Sequence, residues 1–435
     1  MHQFKKVYYW FSLLQSSIGY LPSILTLSAI ILAPILLWMD KQYGEQIIQA
    51  FPWMYESSAE AARGILSTIA TSLITVISIS FSIIIVALQQ AANSFSPRVL
   101  RSFTGDKGNQ LVLGMYLATF TYTILVLRTI KTDANQETFI PAVSIMTAML
   151  LTLICLGLLI YFINKMFNSL QAFEIIKRIH DDINNEIDKK YPDEIGRKAK
   201  KISSGEVIVA EQKQAKKQYI VRSESAGFIN LINNEILASI SNTKATWVYI
   251  PISVGQFINK NDTLAIVNDY AFGEKHADEL RRAIEIHNVR SINEDPLFGF
   301  RQLVDIALRA ISPGINDPTT AEYAVRYMGN NLQLLAQRQF PENTRTFENN
   351  PVLYIFNAST WESYVELAFA QLRRHSMREY RIVEVMIEVM QKILAVSDTP
   401  EQKKPIQNQI KLLKEAIRSS NFIKSDKVAL LQKMR

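Results

Sequence analysis

Four long runs of apolar residues occupy the first third of the chain. They lie near residues 21–39, 64–90, 108–127 and 140–163. A helix needs roughly 20 predominantly apolar residues to cross a bilayer, and an ionised side chain at the bilayer centre costs several kcal/mol. Residues 1–164 are therefore predicted to form an α-helical integral membrane domain with four transmembrane helices.

After the last of these runs the periodicity changes twice. Apolar residues recur at helical spacing up to residue 190 and a basic linker follows, so residues 165–204 are predicted to connect the membrane domain to the rest of the chain. Within 205–268, short runs such as Glu206–Val209 and Thr246–Ile250 are rich in β-branched residues and are separated by Gly and Asn. This segment is predicted to be a small β domain.

One stretch of the β domain suggests how its strands are arranged. Pro251–Val267 contains a glycine turn followed by a Lys-Asn-Asp turn, and it resembles the barrel-sandwich strands of biotinyl and lipoyl domains. The resemblance implies a barrel-like domain.

Residues 269–435 are predicted to form an α-helical domain, because Ser, Thr or Asp precedes several runs with helical periodicity. The runs lie near residues 271–289, 298–311, 317–338, 358–396, 400–418 and 425–434. The predicted fold class is thus a four-helix membrane domain followed by a cytoplasmic α+β region.

The charges are distributed unevenly. Residues 1–164 contain nine of the 47 basic residues and seven of the 40 acidic residues. Eight basic residues lie at the N-terminus, in the second loop and after the fourth run, whereas the other two loops hold four. Basic residues are retained on the cytoplasmic side. We therefore expect a multi-pass protein with cytoplasmic N- and C-termini.

Several classes of function are disfavoured. Both signs of charge are mixed in the soluble part, so we expect no nucleic-acid partner. Cys155 is the one cysteine, which excludes an intramolecular disulfide and a thiolate metal cluster. The five histidines are not paired at ligand spacing, and the common nucleotide, hydrolase and metalloprotease motifs do not occur. We assign no catalytic residue and no metal site, the sequence leaves any cofactor unknown, and we favour a non-enzymatic role.

A stripe of small and hydroxyl residues follows the second predicted span. Its members recur at intervals of three and four residues, which places them on one helix face. Such a stripe is typical of tight helix packing, and it is also what copies of a helix would need to line a polar pathway. The stripe consists of Gly64, Thr68, Thr71, Thr75, Ser78 and Ser82.

A second group of polar residues lies between Asp295 and Ala321. Its first half is an amphipathic helix with a charged row, and its second half is a turn with a cap and a proline that start the next helix. The turn can serve as a structural brace or as a binding site for a small anion or cation. The candidate ligand-binding residues are Arg301, Asp305, Arg309, Ser312, Asn316, Asp317, Thr319 and Thr320.

Four segments carry a resemblance to a known family. They are Ser94–Arg98, Leu127–Arg128, Phe298–Ala321 and Ala368–Arg373. With these segments the chain resembles a bacterial family of predicted membrane proteins, domain of unknown function 2254. The resemblance implies the membrane topology and a location in the bacterial inner (plasma) membrane.

A single four-helix unit has no room for an aqueous path, yet its second span carries a row of hydroxyls. We therefore expect a homo-oligomeric channel or transport-type protein in which the lipid bilayer and further copies of the chain are the partners. In this interpretation the cytoplasmic domain gates the pathway or senses a ligand. The alternatives are a membrane-anchored sensor or scaffold without a pore and, less favoured, a membrane-bound enzyme.

Overall fold

The computed structural model of the chain describes residues 19–50, 58–94, 106–130, 139–169, 171–191, 218–240, 245, 247–269, 272–290, 292, 295–340, 343–347 and 350–434. The chain divides into two compact units, Met1–Glu174 and Ile175–Arg435. The predicted strand at 206–209, the basic linker at 197–201 and the part of the family motif at 95–98 lie outside the described residues.

The described part of the first unit consists of long apolar helices. They are α1 (Tyr20–Ala50), α2 (Ala59–Ser94), α3 (Lys107–Thr129) and α4 (Ala142–Ser169). Each contains a segment long and apolar enough to cross a membrane, namely Tyr20–Tyr43, Ala59–Gln90, Lys107–Thr129 and Ala142–Asn168. The four predicted spans are confirmed as candidate membrane helices.

Helix α3 is the central helix of this unit and packs against α1, α2 and α4. More than half of its span is buried, whereas each of the other three spans is mostly exposed. This position explains why α3 is the least hydropathic of the four. Its Thr119 and Thr123 are buried by the neighbouring helices and bond to Cys155 Sγ and the Thr119 carbonyl, respectively.

Polar contacts join the ends of these helices. The buried Asp40 carboxylate of α1 accepts hydrogen bonds from the first two backbone N–H groups after Ala142 and from the Ser144 hydroxyl, at 2.6–3.0 Å. At the start of α3, Asp106 caps the helix and pairs with Lys165 of α4 at 2.5 Å. Carboxylates at helix N-termini satisfy free N–H groups and interact favourably with the helix dipole.

The second unit begins with α5 (Ala172–Lys190), most of which lies in this unit, and continues into a mixed α/β region. Its strands are β1 (Tyr219–Arg222), β2 (Gly227–Ile232), β3 (Trp247–Ile250), β4 (Phe257–Ile258), β5 (Thr263–Val267), β6 (Ile284–His287), β7 (Thr344–Phe347) and β8 (Asn350–Phe356). Two short helices lie among them, α6 (Asn234–Ser239) and α7 (Gly273–Ala283).

The strands form two sheets and no closed barrel among the described residues, so the barrel-like expectation is not confirmed. One sheet has the order β1-β5-β3-β8-β7 and the other has the order β4-β2-β6. All neighbours are antiparallel except β3 and β8, which run parallel with Val248 opposite Tyr354. The five-stranded sheet therefore includes strands from a region that was expected to be purely helical.

The remaining helices are α8 (Pro296–Ala310), α9 (Pro318–Ala336), α10 (Trp361–His375), α11 (Tyr380–Val396), α12 (Pro400–Ser419) and α13 (Lys424–Lys433). Two boundaries differ from the prediction. The run at 271–289 is a helix only to Ala283, because Ile284–His287 pairs with β2. The run at 358–396 is two helices, because the chain turns at Ser376–Glu379, where the Glu379 N–H donates to the Ser376 carbonyl.

Candidate functional site

The hydroxyl stripe lies on the outer face of α2 in the first unit. Thr68, Thr71, Thr75, Ser78 and Ser82 are all exposed. The opposite face of α2 is buried and belongs to the apolar core that the four helices share. The stripe therefore does not pack inside its own helical unit.

Each stripe hydroxyl bonds to its own helix. Thr68 Oγ1 donates to the Gly64 carbonyl at 2.8 Å, and Thr75 Oγ1 donates to the Thr71 carbonyl at 3.0 Å. Thr71, Ser78 and Ser82 bond in the same way to the carbonyl four residues earlier. The donors are satisfied within α2, while the hydroxyl oxygens keep lone pairs that can accept a further hydrogen bond.

Gly64 starts the stripe and leaves open space around it. No described heavy atom outside its own helix backbone lies within 4 Å of the place that a Cβ would take at this residue. No described residue of the same chain requires a glycine there, so the small side chain serves no packing contact among them.

The second group of predicted site residues lies on α8 and on the turn that follows it. Arg301 Nε and Asp305 Oδ1 form an ion pair at 3.1 Å along α8, one turn apart. Arg309 is half-buried at the last turn of the same helix. The predicted charged row is thus present, and its charges already interact with one another.

The turn between α8 and α9 is held by local hydrogen bonds. The Ser312 hydroxyl donates to the Arg309 carbonyl at 2.6 Å. Asn316 has a positive φ of 51°, a conformation that asparagine tolerates better than most residues. The Asp317 carboxylate caps α9 by accepting from the Thr320 N–H at 3.1 Å and the Thr320 hydroxyl at 2.5 Å.

These contacts give most of the predicted residues a structural partner. Thr319 is exposed in the first turn of α9, next to the cap. The arrangement is what a brace between two helices needs, and ligand binding at the turn stays a prediction.

The structure adds a buried charged pair just before α8. Asp295 is 4% exposed, and its carboxylate accepts from Arg290 Nε at 3.0 Å and contacts the Arg290 Nη2 group. The Arg290 guanidinium also lies 5.1 Å from the centre of the Phe298 ring. Burial raises the pKa of Asp295, although the charge of Arg290 opposes this shift. Sequence reasoning missed this pair, because the sequence does not show that Asp295 is buried against Arg290.

His180 takes part in a polar network of the second unit. Its imidazole contacts the side-chain oxygen of the buried Asn331, and Asn184 Nδ2 lies 3.1 Å from its other ring nitrogen. These contacts join α5 to α9. In the described part of the chain no group of three or more His, Cys, Asp or Glu residues could hold a metal ion.

A family model described as predicted membrane protein, domain of unknown function 2254, matches residues 15–392. The chain belongs to this family. The matched region includes the four candidate spans and most of the second unit, so the family's sequence pattern covers both the membrane helices and the α/β region. The protein is a predicted membrane protein.

Two relatives of this family member come from mycobacteria. The uncharacterized protein Rv1290c of Mycobacterium tuberculosis and the uncharacterized protein Mb1321c of Mycobacterium bovis are each 26% identical to it over 383 residues. The match covers 87% of this chain and 72% of each relative. No solved structure matches the chain.

Proposed function

We propose that this predicted membrane protein is a homo-oligomeric channel or transport-type protein of the bacterial inner membrane. In this proposal the α2 helices of several copies face a shared axis and line a polar pathway. The observation that supports it is the position of the hydroxyl stripe, which lies on the exposed face of α2. In the proposed assembly, further copies of the chain cover that face.

The described part of one four-helix unit is packed too tightly to contain an aqueous pathway of its own. Its centre is filled by large side chains, and Tyr116, Tyr122 and Phe162 are fully buried there. Interiors packed in this way hold few voids larger than a water molecule. In our proposal the pathway for water or ions therefore runs between copies of the chain.

The chemistry of the stripe suits a polar pathway. From Gly64 to Ser82 it extends roughly 27 Å at about 1.5 Å per residue, which approaches the hydrocarbon thickness of roughly 30 Å. Each hydroxyl uses its hydrogen in a bond to its own helix and presents an acceptor oxygen outward. Rings of such oxygens favour water and hydrated cations over apolar solutes.

We place the second unit in the cytoplasm, with both termini on that side, on the basis of the basic residues beside the spans. There it would gate the pathway. The α8–α9 turn, with Arg301, Asp305 and Asp317, is the proposed place where a small anion or cation acts on the gate. A positively charged helix start and the nearby carboxylates suit either sign of ligand.

Thiol accessibility tests the pathway directly. Cys155 is buried and is replaced by alanine, and Thr75→Cys is then introduced as the single thiol. Because the thiolate is the reactive form and needs water, a charged methanethiosulfonate reagent should modify Thr75→Cys in reconstituted vesicles. The modification should also change the ion flux through the vesicle membrane.

The matched control is Leu153→Cys on α4. Leu153 is 65% exposed, but it is apolar and does not belong to the hydroxyl stripe. We expect it to react at least about tenfold more slowly than Thr75→Cys, because a thiol in hydrocarbon stays protonated. Equal rates at the two positions, or an oligomer without flux under voltage or pressure, would contradict the pathway.

One observation favours the alternative, a membrane-anchored sensor or scaffold without a pore. All five stripe hydroxyls are satisfied within α2, so the stripe can face lipid or another helix without leaving an unpaired donor. A helix contact would shield Thr75→Cys from the reagent as completely as lipid does. The same labelling experiment therefore separates the two functions.

A further inference from the structure

The segment that contains the last two helices has a strong excess of basic over acidic residues. Residues 399–435 contain nine Lys or Arg residues and three acidic residues. Lys404, Lys411 and Arg418 follow one another at intervals of seven on α12, so they share one face of that helix. All three are exposed, and the opposite face is buried through Ile406 and Leu413.

These cations are not used to hold the fold. Within the residues that the structure describes, none of Lys404, Lys411 and Arg418 forms an ion pair. This distinguishes them from Arg381 and Arg326, which pair with carboxylates of α9 and α11. Glu415 is the one acidic residue between Lys411 and Arg418, so the exposed row keeps a net positive charge that an anionic partner can neutralise.

The start of α13 lies beside the end of this row. Lys427 Nζ donates to the Arg418 carbonyl at 3.1 Å, which holds the first turn of α13 against the end of α12. Between the two helices Ile423 is 66% exposed, and the next residue, Lys424, is exposed as well. An apolar side chain thus projects from the end of a row of cations.

We propose that this basic surface, formed by Lys404, Lys411, Arg418, Ile423 and Lys424, binds the headgroups of anionic phospholipids. Basic residues near an anionic leaflet are attracted to it, and an aliphatic side chain beside them can enter the boundary between headgroups and acyl chains. The chain is also tied to a bilayer by its own spans, which raises the local concentration of headgroups.

The combination of charges and an exposed isoleucine distinguishes lipid from single-stranded nucleic acid as the partner. Binding to single strands relies on aromatic side chains that stack on bases. The neighbouring aromatic ring, Phe422, is half-buried and packs against Tyr380 with ring centres 6.4 Å apart. The aliphatic end of the row is suited to a membrane surface.

The test uses the full chain with Cys155→Ala and Ile423→Cys, labelled with an environment-sensitive fluorophore. The protein is reconstituted into vesicles of phosphatidylcholine alone or of equimolar phosphatidylcholine and phosphatidylglycerol. We expect blue-shifted emission and protection from an aqueous quencher in the anionic vesicles only. High salt should remove both effects, because it screens exposed charges.

A charge-reversal variant combines Lys404→Glu, Lys411→Glu and Arg418→Glu. It should weaken binding to the anionic headgroups by roughly a hundredfold, at about fivefold for each cation. The matched control reverses three exposed cations elsewhere in the second unit, Lys260→Glu, Lys275→Glu and Arg282→Glu. It should keep the anionic-lipid response. Thermal unfolding of both variants should match that of the parent chain.

Identical emission in the two kinds of vesicle would overturn the proposal, as would an equal loss of response in the control variant. A duplex oligonucleotide added to the phosphatidylcholine vesicles provides a further arm. If it changes the emission while phosphatidylglycerol does not, the surface binds nucleic acid and the lipid proposal is wrong. These outcomes do not depend on whether α2 lines a pathway.

Discussion

At the scale of single residues, Gly255 and the buried Arg290–Asp295 pair depend on one another. Gly255 has a φ of 83°, and an added Cβ would collide with the Asp295 carboxylate and the Arg290 guanidinium. We predict that Gly255→Ala lowers the free energy of unfolding by about 2–4 kcal/mol, because it strains the backbone and disturbs a buried ion pair. Chemical unfolding of the detergent-solubilised chain measures this change.

The control is Gly314→Ala in the exposed turn after α8, where no described atom lies within 4 Å of the added Cβ. It should change the unfolding free energy by less than about 0.5 kcal/mol. Similar losses for the two variants would show that the close approach at Gly255 is not responsible.

At the scale of elements, ion pairs join α9, α11 and α13. Glu322 of α9 accepts from Arg381 of α11 at 2.7 and 2.9 Å, and Glu384 of α11 pairs with Arg381 at 2.5 Å and with Lys433 of α13. The hydrogen bond from Arg381 lowers the pKa of Glu322, and the one from Lys433 lowers the pKa of Glu384. These carboxylates stay charged at pH values that would protonate an unpaired glutamate.

The sign of the pH effect follows from these shifts. A lowered folded pKa stabilises the fold above the ordinary glutamate value of 4.5, and the contribution is lost as the pH falls through the lower folded value. We predict that the thermal midpoint of the full chain falls across this acid range and that Glu322→Gln makes the fall shallower. Glu366 on α10 is exposed, and Glu366→Gln should leave the pH dependence of the thermal midpoint unchanged. An equal effect of both substitutions would contradict the prediction.

At the scale of the whole molecule, a substitution at Gly64 tests whether copies of the chain associate through α2. The described residues of the same copy leave open space beside Gly64, so Gly64→Leu should leave the fold of the chain intact. If copies associate through α2, the same change should shift the detergent-solubilised protein toward smaller assemblies, because small residues let helices approach in lipid. Light scattering coupled to size-exclusion chromatography measures the assembly size.

Gly157 on α4 supplies the matched control, since its Cβ position is equally open. Gly157→Leu should preserve the assembly size. Assemblies that are unchanged in Gly64→Leu, or reduced equally in both variants, would show that α2 is not the contact between copies.

The local sequence pattern was sufficient to predict the membrane helices and most helices of the second unit. The length of an apolar run is set by the bilayer, and caps such as Asp317 and Thr399 act within a few residues, so both can be read along the chain. The hydroxyl stripe could be predicted for the same reason, because 3.6 residues per turn place its members on one face. The sequence did not show whether that face points into the helical unit or away from it.

Tertiary structure decided what depends on distant partners. Ile284–His287 is a strand because β2 offers it a sheet edge, and β8 runs beside β3 although about 100 residues separate them in sequence. The sequence alone does not show which charged residues are buried, yet Asp295 is buried against Arg290 and Lys404 faces solvent. The sequence by itself determined the spans, the caps and the helix faces. Only the folded chain decided which faces are covered, because burial depends on the neighbours that packing brings together.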